Sequence, residues 1–208
     1  AKKFADEKAP GVNYYRHVFE LLLRLKCNLL WPAMHEVSAA FCTEKGENGI
    51  PVDSEEASQY GIVIGSSHCD ILLRTNTTEW ADWYHANKEN YDIQGSDSYD
   101  AYDFSKNETA VLQYWRERLQ TNKEFESILT LGIRGVHDGA FNCDNLSKYK
   151  GSTNAEKKVS FMEEVIKKQR RLIAEVYFDG DMSRVDEVPQ VLIPYKEMGT
   201  VYNDGLNE

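Results

Sequence analysis

Apolar and polar positions along this chain follow two periods. Val12, Tyr15, Val18, Phe19, Leu22 and Leu23, closed by Lys26, keep the i, i+3, i+4, i+7 spacing of one face and predict a helix over 12–26. Four short apolar runs of strand character each lead straight into polar residues. They predict strands at Cys27–Met34, Gly61–Gly65, Ser127–Ile133 and Val188–Pro194. Between them the helical period returns. Asp53, with Glu56 three positions on, reads as an N-cap and its box for a short helix to Gln59. Asn107 reads as the cap of a helix Glu108–Asn122 whose apolar face is Val111, Tyr114, Trp115 and Leu119. Thr153 and Glu156 form another capping box, ahead of Phe161, Met162, Val165, Ile166, Leu172, Ile173 and Val176. Residues 41–52 and 139–154 read as polar loops, and 85–106 as a long excursion of the kind that often carries function. Helix and strand thus alternate four times. That order predicts an α/β class with parallel (β/α) units and right-handed crossovers, four units being half of a (β/α)8 TIM-type barrel.

The topology has a chemical consequence. Parallel strands gather their C-terminal ends on one face, where the active sites of such folds sit. His68, Arg134, Asp138 and Glu197 all follow predicted strands and are expected to face one pocket.

Composition narrows the partners. The 208 residues carry a net charge of −10, which argues against nucleic acid and an anionic membrane surface. Hydrophobic residues at 41% and charged residues at 28% are ordinary for a soluble domain. No apolar run is long enough to span a membrane, and the start shows no apolar signal-peptide region. The chain starts without Met and stops in a polar tail after an apparent strand, so residues 1–208 read as one partial domain, truncated at both ends. Cys27, Cys42, Cys69 and Cys143 form neither a CxxC pair nor a zinc pattern. Cys27 is expected to be a buried free thiol, and for Cys69 thiol and disulfide both stay open. Asp97, Asp100 and Asp103 lack the glycine and terminal Glu of a calcium loop and read as a solvated loop. No phosphate-loop pattern and no G-x-S-x-G elbow occurs.

The order of the strand-end motifs resembles a known family. Lys26-Cys27-Asn28-Leu29-Leu30-Trp31-Pro32-Ala33-Met34, Tyr60-Gly61-Ile62-Val63-Ile64-Gly65-Ser66-Ser67-His68, Glu79-Trp80, Tyr114-Trp115-Arg116, Gly132-Ile133-Arg134-Gly135 with Asp138, and Pro194-Tyr195-Lys196-Glu197 follow the sequence of glycoside hydrolase family 115, the xylan α-1,2-glucuronidases. The resemblance runs from about residue 14 to 206. The family's Ser-His-x-Glu-Pro stands here as Ser67-His68-Cys69-Asp70-Ile71, its Gly-Met-Arg-Gly has Ile133, and its Trp after Pro-Ala-Met is His35. Later strands of the family's barrel have no counterpart.

The resemblance implies an inverting glycoside hydrolase that removes glucuronic or 4-O-methylglucuronic acid from xylan without a cofactor or metal. Such chemistry needs two carboxyl groups, roughly 6.5–9.5 Å apart, with room for a water. Asp138 and Glu197 are the expected pair, with acid and base unassigned. Arg134 is the expected partner of the substrate's carboxylate, or the ion-pair partner of Asp138, and the two roles are compatible. His68 is expected to bind sugar hydroxyls or tune a carboxylate. Tyr195 and Trp31 offer faces for sugar stacking, with core packing as the other reading of Trp31. Lys196 reads equally as a carboxylate partner or as a solvated or structural side chain, and Asp70 is a weaker acid candidate. The expected partners are glucuronoxylan or its oligosaccharides, and either a second copy or the remainder of a parent chain to cover the sheet edges. The parent is expected to be secreted or periplasmic. The alternative is a degenerate member that only binds acidic plant-wall oligosaccharides.

Overall fold

The computed structural model describes residues 10–33 and 52–206. Met34, His35, Cys42 and all but the last residue of the predicted 41–52 loop lie outside them, and Val52 belongs to a helix. Helix α1 (Val12–Arg24) leads to strand β1 (Leu29–Leu30), then α2 (Val52–Gln59) to β2 (Val63–Gly65). Three helices follow, α3 (Thr78–Asn87), α4 (Ser98–Ala101) and α5 (Phe104–Asn122), before β3 (Ser127–Leu131). Helix α6 (Asn154–Phe178) then leads to β4 (Gln190–Leu192) and the short α7 (Glu197–Val201). The four strands form one sheet in the order β1-β2-β3-β4, and every pairing is parallel. The α/β alternation is therefore the one the sequence predicts. The ladders are shorter than the apolar runs, because each pairing joins only two or three residues in register.

Several local expectations change. Asp53 lies inside α2 rather than at its cap. Asn107 does not cap α5. That helix starts a turn earlier at Asp103, whose carboxylate accepts from the Ser105 amide, and Asn107 sits at a kink within it. The Asn107 side chain instead ties down the preceding excursion: it donates to the Gln94 and Ala101 carbonyls and accepts from the Gln94 amide. The excursion is thus largely built. Asp97 caps α4, Asp100 pairs with Lys106, and Asp103 is fully buried, so the acidic cluster is helix capping rather than a solvated loop. Cys27 is exposed, since it leads into β1 at the edge of the sheet. Cys69 is buried and in no disulfide, and burial pushes its thiol up to about 12. The Thr153–Glu156 capping box at α6 is present in full.

An aromatic core fixes the excursion under the sheet. Trp80 is fully buried, meets Tyr114 edge-on at 5.2 Å and donates its Nε1–H to the Ser98 carbonyl at 2.6 Å. Phe104 stacks on Trp115, and Phe161 of α6 meets Phe141 and Tyr149 from the loop after β3. The Ser98 carbonyl satisfies the polar end of Trp80 while its ring face is buried. The strand ends are fastened too. Thr130 Oγ1 donates to the Ser66 carbonyl, and Ser66 Oγ donates to the Asp70 carbonyl. The Gln169 amide both donates to and accepts from the backbone of Gly132, just past β3.

Candidate active site

The chain beyond β3 turns sharply. Gly135 N–H donates to the Gly139 carbonyl, and Gly139 N–H to that of Val136. A Cβ at position 135 would come within 2.2 Å of the Ala140 carbonyl oxygen, so only glycine fits. Inside this turn His137 and Asp138 have φ of 53° and 60°. Two successive left-handed non-glycine residues are strained, by about 1–3 kcal/mol each, and persist only where the surroundings hold them.

Arg134 is what holds them. Its guanidinium is 1% exposed. Nη2 donates to the Asp138 and Gly139 carbonyls at 2.7 and 3.0 Å, Nε to that of Gly139 at 3.3 Å, and Nη1 to that of Tyr195 at 2.9 Å. The same cation pairs with both expected catalytic carboxylates: Nη2 lies 3.0 Å from Asp138 Oδ1, and Nε lies 3.2 Å from Glu197 Oε1. One buried guanidinium therefore joins the loop after β3 to the loop after β4 and pairs with a carboxyl group from each.

Asp138 gathers further partners. His68 Nε2, from beyond β2, lies 2.9 Å from Oδ1. Lys196 Nζ, from beyond β4, lies 2.7 Å from Oδ2. Burial pushes the Asp138 carboxyl up, but hydrogen bonds from Lys196 and His68 and the charge of Arg134 outweigh it and leave it below the ordinary 3.8. The Tyr195 ring lies 4.3 Å from that of His68 and carries Lys196 Nζ 5.5 Å from its centre. Glu197 opens α7, and its Oε1 also accepts from the Phe141 amide at 3.3 Å.

His68, Arg134, Asp138, Tyr195 and Glu197 thus form one cluster at the C-terminal ends of β2, β3 and β4. Trp31 stands apart. Its indole lies against Gly65, where a Cβ would come within 2.2 Å of Nε1, and it remains 42% exposed at the end of β1. Lys196 is the member whose role sequence left open. Its only signal was its place between Tyr195 and Glu197. It is 52% exposed on its side chain, so it is the cation of the cluster that solvent reaches. Among the described residues no group of three or more His, Cys, Asp or Glu is placed to hold a metal ion, and no helix is long and apolar enough to cross a membrane.

The model of glycosyl hydrolase family 115 matches residues 1–208. The chain belongs to that family. A solved 4-O-methyl-alpha-glucuronidase of family 115, with specificity for decorated arabinogalactans, is 33% identical to it with a TM-score of 0.67. The alignment covers 94% of this chain and 22% of that one. The chain therefore spans about a fifth of the length of this relative. No curated protein matches.

Proposed function

We propose that this chain carries the paired carboxylates of an α-glucuronidase that hydrolyses α-1,2-linked glucuronic or 4-O-methylglucuronic acid from glucuronoxylan. The observation that carries the reading is the meeting of Asp138 and Glu197 on Arg134 at the strand ends. Asp138, kept ionised by Lys196 and His68, has the state required of a base that activates water in an inverting displacement. Glu197 is then the second carboxyl group of the pair. Arg134 spends its donors on backbone carbonyls and these two acids, so it acts as the positioning residue. Lys196, half exposed beside Asp138, receives the uronic carboxylate, and Tyr195 and His68 border the ring. The remainder of the barrel, or a second copy, covers the β1 and β4 edges, and the parent protein is exported to reach its polymer.

A second substrate reading has a specific source. The 33% identical relative is specific for decorated arabinogalactans, which favours uronic acid carried on a galactan main chain. Release of uronic acid by the full-length protein from glucuronoxylan and from decorated arabinogalactan, beside an Asp138→Ala variant, separates the two. Release lost in the variant supports the hydrolase. Binding of acidic oligosaccharides without release from either polymer overturns it in favour of a degenerate binding protein.

A further inference from the structure

One residue from Asp138 stands a second aromatic pair that the hydrolytic chemistry does not use. The His137 ring is stacked on Tyr99, with centroids 5.7 Å apart and planes 29° apart. Tyr99 comes from the excursion before α5, and half of its surface is open to solvent.

Exposed tyrosines are common, but this one sits in the short helix α4, which is tied down on several sides. Asp97 caps α4 by accepting from the Tyr99 and Asp100 amides at 2.9 Å each. The Tyr99 carbonyl accepts from Asn142 Nδ2 at 3.0 Å, which ties it to the loop beyond Asp138. Lys106 bridges Asp100 and Asp144 at 2.8 Å each, and Asp103 accepts from the Asp144 amide at 2.9 Å. The buried Trp80 anchors the neighbouring Ser98 carbonyl. The excursion and the loop after β3 are thus stapled into one rim around the strand ends. A rigid aromatic face presented to solvent offers contact area at small entropic loss, since little freedom remains to be surrendered on binding.

We infer that Tyr99, stacked on His137, forms a platform for the neutral pyranose rings of the main chain that flank the uronic acid branch. This rests on the hydrolase reading above, and deepens it. The uronic ring takes the site at Asp138, with Lys196 on its carboxylate and Tyr195 and His68 at its border. The main chain presents apolar C–H faces and no charge, and an aromatic face suits it. Xylose and galactose rings share this chemistry, so the platform recognises ring faces, and the test separates the two sources.

The experiment uses the full-length protein as wild type, Tyr99→Ala, Tyr99→Phe and His137→Asn. Asn tolerates the left-handed backbone at position 137 while removing the ring partner. The first readout is the ratio of kcat/KM on a branched oligosaccharide of four or more main-chain sugars to that on uronic acid linked to a single sugar. The second is calorimetric binding of unbranched xylo- and galacto-oligosaccharides. Tyr99→Ala should lower the ratio about tenfold, the loss of one anchoring aromatic, and weaken neutral binding by a like factor. His137→Asn should move both in the same direction, and Tyr99→Phe should stay near wild type. Whichever neutral series is weakened names the main chain. A ratio and a neutral affinity both untouched by Tyr99→Ala overturn the platform. If the wild type releases no uronic acid from any substrate, the hydrolase reading fails instead. Neutral binding alone then decides: binding weakened by Tyr99→Ala supports the platform, and absence of neutral binding in the wild type overturns it.

Discussion

His68 Nε2 lies 2.9 Å from Asp138 Oδ1, although 70 positions separate the two residues. The parallel pairing of β2 with β3 brings their C-terminal ends together and makes the contact possible. It is one of the hydrogen bonds that hold the Asp138 carboxyl below its ordinary 3.8.

A pH dependence of stability follows from that depression. A carboxyl whose pKa is lower in the folded chain contributes stability that is fully present above the unfolded value, near 3.8, and is lost as pH falls through the folded value. Asp138→Asn should therefore be less stable than wild type at neutral pH, and the gap should narrow as pH falls below about 4. Urea unfolding of both proteins between pH 3 and 7 measures it. A gap that stays constant across the range would show that Asp138 is not held ionised by its partners.

Arg134→Met should destabilise the protein by about 3–5 kcal/mol, the range for removing one partner of a buried charge cluster. Asp138 and Glu197 would lose their shared cation, and the Tyr195 and Gly139 carbonyls their donor. Arg134→Lys should rescue little, because an ammonium cannot reach three separated carbonyls and two carboxylates in one plane. Denaturant midpoints of the two variants check this, and a lysine variant as stable as wild type would contradict it.

The contrast between Arg134 and Lys196 shows what the sequence could and could not convey. Strand-end clustering was legible, because apolar runs of strand length fix the sheet and a parallel sheet fixes where His68, Arg134, Asp138 and Glu197 emerge. The burial of Arg134 was not, because it depends on backbone carbonyls of Gly139 and Tyr195 that no side-chain pattern announces. Lys196 carried no signal of its own beside a glutamate. Asn107 misled because it is a good cap in isolation, whereas here its amide is engaged by Gln94 and Ala101, leaving the cap to Asp103. Among the motifs that carried the family resemblance, Glu79-Trp80 and Tyr114-Trp115 prove to be buried core, where Glu79 pairs with Arg74 and Arg118 and Tyr114 donates to the Thr75 carbonyl.

Lys196→Met removes the largest influence that lowers the Asp138 carboxyl. The acid limb of the kcat/KM profile should therefore move to higher pH. If Lys196 also receives the uronic carboxylate, KM for a uronic substrate should rise about tenfold, one lost charge contact. Steady-state kinetics of the full-length protein from pH 4 to 8 reads both effects. An unmoved acid limb would detach Lys196 from Asp138, and an unmoved KM would detach it from the substrate.

The family motif at Glu79 gives a prediction away from the site. Glu79 is buried, pairs with Arg74 Nη1 at 2.8 Å and with Arg118, and accepts from the Thr75 amide at 2.9 Å. Arg74 in turn donates to the Tyr114 carbonyl at 2.9 Å and lies 4.3 Å over the Tyr114 ring. The carboxylate thus joins the turn after β2 to α5, and without it the buried Arg74 and Arg118 lose their shared anion, Arg74 keeping Glu117 at 3.4 Å. Glu79→Ala should lower stability by about 3–5 kcal/mol. Replacing the cluster as a whole, with Met at 74 and 118 and Leu at 79, should recover much of that loss, because packed apolar groups leave no charge unpaired. Unfolding midpoints of the single and triple variants test the argument. A single variant no weaker than the triple would mean that the arginines reach water or other partners once Glu79 is gone.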